Sequence, residues 1–98
     1  MTTREPRYRR CADVVTRTVA GETLLVPVRH GLADMERLFT LNETGAEIWA
    51  GLDGRATIDE LAAALAARHE VALPEARGDV RDLLATLHGA ALAEECEP

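Results

Sequence analysis

Residues 41–54, LNETGAEIWAGLDG, restrict what this chain can fold into more than any other stretch. They join a β-patterned N-terminal third to a helical remainder and carry the chain's only Trp, Trp49. Asn42 or Thr44 can cap a helix there, and Thr44 and Glu47 have capping-box spacing. Ile48, Trp49 and Leu52 then form its inward stripe, and Asp53-Gly54 ends it.

Upstream, Val14–Val28 reads as a hairpin. Val15 and Val19 alternate with Thr16 and Thr18, Ala20-Gly21 supplies the turn, and Leu24, Val26 and Val28 alternate on the return. Pro27 has no N–H, so it belongs at a strand end or where no ladder donor is needed. A loop around Gly31 follows, and a third strand is expected over Glu36–Leu41. Arg37, Phe39 and Leu41 would share one face of it, Leu38 and Thr40 the other. Both faces are partly apolar, so both are covered or one awaits a partner.

Downstream, Thr57 and Glu60 form a second capping box, which starts a helix at Thr57. Ile58, Leu61, Ala62, Leu65 and Ala66 are its inward face, and His69 suits its C-terminal dipole as a surface residue. Pro74 opens a third helix whose core stripe is Ala76, Val80, Leu83 and Leu87, with Leu84 flanking. Gly78 costs about 1 kcal/mol inside a helix, so the helix begins near Asp79 or something packs closely there. The expected fold is α+β: a three-stranded antiparallel meander followed by three helices, winged helix-turn-helix-like.

The 98 residues suit one domain with a modest core, and aromatics are only 3%, so that core is aliphatic. Residues 1–12 read as a flexible basic arm without periodicity, with four Arg in the first ten residues; residues 13–93 read as the domain, and 94–98 as an acidic tail. Beyond residue 10, seven Arg face sixteen carboxylates, a body that repels phosphate backbones and disfavours nucleic acid. No apolar run approaches the ~20 residues of a membrane span, and the N-terminus lacks a signal-peptide pattern, so a cytoplasmic protein is expected. Cys11 and Cys96 have no metal or redox spacing. Three scattered His, no Ser and no phosphate-binding glycine loop provide no catalytic constellation. Neither an enzyme, a cofactor nor a metal is expected.

A meander leaves an outer strand with unpaired main-chain groups, to which a peptide can add as a further strand. LNETGAEIWAGLDG, followed by TIDELAAALAARHEV and EARGDVRDLLATLHGAAL, resembles the family of pyrroloquinoline-quinone biosynthesis protein D. That family is the prototype of the recognition elements of ribosomally made, modified peptides. The likeness spans about Val14–Leu92 and is strongest at Leu41, Asn42, Thr44, Gly45 and Trp49. It implies a non-catalytic chaperone that binds a precursor's leader as an added strand on the third β-strand, beside the third helix. It would then present the peptide to a modifying enzyme, a radical S-adenosylmethionine enzyme or a leader protease. The motif residues themselves fit a tight strand-to-helix corner. Peptide-contacting residues are expected at Arg37, Leu38, Phe39, Thr40 and Leu41, and on the third helix at Arg77, Val80, Arg81, Leu84 and His88.

The basic arm has no counterpart in the family picture, the loop Arg29–Met35 replaces a tighter second turn, and Pro27 is expected to shorten the second strand. Dimerisation and strand exchange, known in the family, are left open. Two rival readings stand beside this one: a winged-helix DNA-binding regulator using the third helix, and a dimerisation domain using the same edge on itself.

Overall fold

Two short turns set the strand pattern. Ala20 and Gly21 take left-handed φ values of 53° and 82°, and His30 and Gly31 take 54° and 76°. Such pairs make two-residue hairpin loops whose twist matches that of the strands they join. The first links β2 (Val14–Val19) to β3 (Glu22–Arg29), and the second links β3 to a two-residue strand, β4 (Leu32–Ala33). The loop expected around Gly31 is therefore a second tight hairpin. These elements come from a computed structural model that describes residues 6–96.

Strands Val14–Val19 and Glu22–Arg29 lie where the alternation places them. The third strand of the expected meander is shorter. Met35–Arg37 forms a 3-10 turn, and only Phe39–Leu41 extends as β5, pairing with Thr23–Leu25 of β3. Arg37 and Leu38 thus lie outside the strand, in the 3-10 turn and just after it. Pro27 sits inside β3 at the end of the short ladder with β4, where its carbonyl accepts from the Asp34 N–H and its missing N–H leaves that pair a single bond.

The arm expected to be frayed holds a strand instead. β1 (Arg7–Arg10) is the middle of a second antiparallel sheet, between β6 (Asp53–Thr57) and β7 (Ala93–Cys96). Its short sequence has no alternation of its own; pairing on both sides holds it. Arg9 forms an ion pair with Glu94, and Arg10 Nη1 donates to the carbonyls of Trp49 and Ala50 at 3.2 and 3.1 Å. β7 likewise occupies the start of the expected acidic tail. Residues 1–5, 97 and 98 lie outside the described residues.

Asn42 caps α1 (Glu43–Ala50), its Oδ1 accepting from the Gly45 N–H at 2.8 Å. That helix ends before Gly51, and Asp53-Gly54 opens β6 rather than closing α1. The Asp53 carboxylate accepts from the Arg55 and Ala56 N–H groups, which hold it below the usual carboxylate range. Thr57 and Glu60 make the capping box of α2 (Ile58–His69) reciprocally, at 3.1 and 3.2 Å. α3 runs unbroken over Leu73–Gly89, and Gly78 lies within it facing open space, so neither a late start nor a close neighbour explains that glycine.

The core lies between the three helices and the inner face of the β2-β3-β5 sheet. Leu25 and Leu41 from the sheet meet Ile48, Trp49, Leu61, Leu65, Val80, Leu84 and Leu87. Leu84 is in the core and Leu83 beside it, the reverse of the order read from the sequence. The Trp49 indole N–H donates to Thr16 Oγ1 at 3.2 Å, tying α1 to β2. Among the described residues no helix is long and apolar enough to cross a membrane.

Candidate functional site

The direction of each main-chain group on β5 follows from its partner β3. In an antiparallel ladder, successive residues turn their N–H and C=O groups to opposite sides. The Val28 N–H donates to Asp13 on the β2 side at 2.8 Å, so Leu24 and Val26 also face β2. Thr23, Leu25 and Pro27 face the other way, and the Pro27 carbonyl accepts from the Asp34 N–H at 2.7 Å. Phe39 and Leu41, opposite Leu25 and Thr23, thus spend their main-chain bonds on β3. The groups of Thr40, and by the same alternation those of Leu38, point outward. β5 pairs with β3 alone among the described residues, so that outer edge is unpaired.

Beside the edge lies an open cleft of about 400 Å³. Phe39 from β5, Asn42, Thr44, Gly45 and Ile48 from the corner and α1, and Asp79, Asp82, Leu83 and Thr86 from α3 line it. The four α3 residues follow i, i+3, i+4, i+7, one helix face. Gly45 brings the corner close to the strand: a Cβ there would stand 3.1 Å from Leu41 Cδ2 and 3.2 Å from Asn42 Oδ1.

The residues expected to contact a peptide separate into two groups. Leu38 and Thr40 are exposed at the edge, and Phe39 is half-buried in the cleft wall. Leu41 is buried in the core. Arg37 stands exposed in the 3-10 turn, 3.7 Å from Asp34. On α3, Val80 and Leu84 are 0% and 2% exposed and belong to the core. Arg77 Nε donates to Asp59 on α2 at 2.8 Å, so it faces α2. Arg81 and His88 are exposed, and neither lines the cleft.

The face that does line it is Asp79, Asp82, Leu83 and Thr86, none of which is among the residues expected from the sequence. Placing Leu83 in the core stripe turned the helix by one residue, about 100°. A flanking apolar residue beside an acidic i, i+3 pair was the available signal.

Elsewhere, His69 Nε2 lies 2.7 Å from Glu47 Oε2, joining α2 to α1, and this contact holds the Glu47 carboxyl below its ordinary value. Burial pushes the Cys11 thiol up. Among the described residues no group of three or more His, Cys, Asp or Glu is placed to hold a metal ion.

The sequence profile of Coenzyme PQQ synthesis protein D (PqqD) matches residues 23–93, from β3 to the first residue of β7. The chain belongs to the PqqD family. β1 and β2 lie outside the matched segment of this PqqD-family chain, while the edge strand and all three helices lie inside it. Two solved structures are similar. One is TbiB1 in complex with the TbiA(beta) leader peptide, 27% identical, covering 88% of this chain and 94% of its own, with a TM-score of 0.71. The other is lasso peptide synthetase B1 complexed with the leader peptide, 22% identical, covering 90% and 98%, with a TM-score of 0.73. The second likeness is one of fold. A search of curated proteins found no match.

Proposed function

We propose that this PqqD-family chain binds the leader of a ribosomally made precursor peptide as an added strand along β5, and presents it to a modifying enzyme. The observation that carries this reading is the outward, unpaired edge at Leu38–Thr40 with a cleft beside it. Main-chain bonds to an edge supply affinity, and side-chain pockets beside it supply selectivity. Membership of the family and the leader-bound state of both similar proteins support the same class of guest. The enzyme served is a radical S-adenosylmethionine enzyme or a leader protease, acting in the cytoplasm. No observation favours the DNA-binding alternative, since α3 turns Asp79 and Asp82 outward, where phosphates would be repelled.

The test is an amide NMR titration with the leader of a precursor encoded beside this chain. Shifts at Leu38–Leu41 and along Asp79–Thr86 are expected. Shifts confined to β1 and its neighbours would overturn the reading.

A further inference from the structure

We infer that the guest strand carries a basic residue two positions from an apolar one, both turned toward α3, with Asp79 and Asp82 receiving the basic side chain. The inference rests on strand addition at β5 and concerns which peptides that edge accepts.

Side chains alternate along a strand, and cross-strand partners share a face. A guest residue opposite Thr40 therefore sends its side chain to the outer face of the sheet, with Thr40. The residues on either side of it, i and i+2, turn to the face of Phe39 and Leu41, over the cleft. Two guest side chains thus enter, and the cleft provides two chemistries for them. Phe39, Ile48 and Leu83 form an apolar part; Asp79 and Asp82 stand one turn apart on the α3 wall.

The acidic pair lines the cleft and is open to a guest's charge. Asp34, Glu47, Asp59 and Glu94 each meet an Arg or a His, but Asp79 and Asp82 have no cationic partner among the described residues. Two carboxylates a turn apart repel one another, and a guanidinium or ammonium arriving between them relieves that repulsion. The nearby basic residues of the helix do not serve: Arg77 is engaged with Asp59, and Arg81 neither lines the cleft nor makes an ion pair among the described residues. An acidic guest would meet like charge against a low-dielectric wall.

A phage-displayed library of random dodecapeptides, panned against the full chain, tests this. The expected selection places Arg or Lys two positions from Leu, Ile, Phe or Tyr. A selected peptide should then lose about tenfold or more in affinity for D79N/D82N, the scale of one charge-assisted hydrogen bond. D79R/D82R should select Asp or Glu at the same position. Peptides that fail to bind Thr40→Pro yet show no basic preference, or that bind D79N/D82N equally well, would overturn the inference and leave strand addition intact. Peptides that bind Thr40→Pro as well as the natural chain, or no enrichment at all, would overturn strand addition and this inference together.

Discussion

The Pro27 carbonyl accepts from the Asp34 N–H at 2.7 Å, so beyond Leu25 this side of β3 is taken by the β4 hairpin and not by β5. The β3–β5 ladder is limited to the pairs Thr23–Leu41, Leu24–Thr40 and Leu25–Phe39, and Pro27 has no N–H with which to extend it. The chain answers with a 3-10 turn over Met35–Arg37 instead of two more strand residues. The β4 hairpin and the turn after it therefore bound the docking edge at its start.

Thr40→Pro should separate docking from folding. The Thr40 N–H points away from β3, so its loss breaks no bond of the sheet, and proline is tolerated at that side of an edge strand. Stability from urea unfolding should change by no more than about 1 kcal/mol. Leader affinity should fall at least about tenfold by fluorescence anisotropy, because the guest's carbonyl loses its N–H donor and meets the pyrrolidine ring.

Leu83 and Leu84 are neighbours with different duties. Leu84→Ala removes a 2%-exposed core side chain and should cost about 2–5 kcal/mol in urea unfolding. Leu83→Ala trims the cleft wall; it should cost clearly less stability and weaken leader binding instead. Equal effects of both on stability, with binding unchanged, would count against the cleft as the docking site.

Arg10→Ala tests whether β1 is structural. Its guanidinium caps the last carbonyls of α1, where positive charge also favours the helix dipole. A loss of about 1 kcal/mol is expected in urea unfolding, whereas a frayed arm would give none.

Acid should weaken the α1–α2 contact through Glu47. Its folded pKa lies below the 4.5 of a free glutamate, chiefly because His69 hydrogen-bonds the carboxylate. A lowered carboxyl pKa contributes stability above the unfolded value, and that contribution disappears as pH falls through the folded value. Glu47→Gln should therefore be less stable than the natural chain at pH 6, and the difference should shrink below about pH 4.

Gly78→Ala should stabilise the chain by about 0.5–1 kcal/mol, since it lies mid-helix with an ordinary φ and open space around its Cα. Thermal unfolding measures the gain.

Local chemistry sufficed wherever the signal was carried by a few adjacent residues. The Thr57–Glu60 box, the Ala20-Gly21 turn and the cap at Asn42, one of two candidates there, depend on contacts within about four positions, and the β2–β3 hairpin grows outward from such a turn, so each is readable. Arg7–Arg10 and Ala93–Cys96 were not, because each becomes a strand only by pairing with the other across most of the chain's length. The site divides the same way. Leu38–Leu41 was legible as an apolar run entering a cap, but the side of α3 facing it was not: periodicity tells which residues share a stripe, while the packing of Leu84, rather than Leu83, against the core decides where that stripe points.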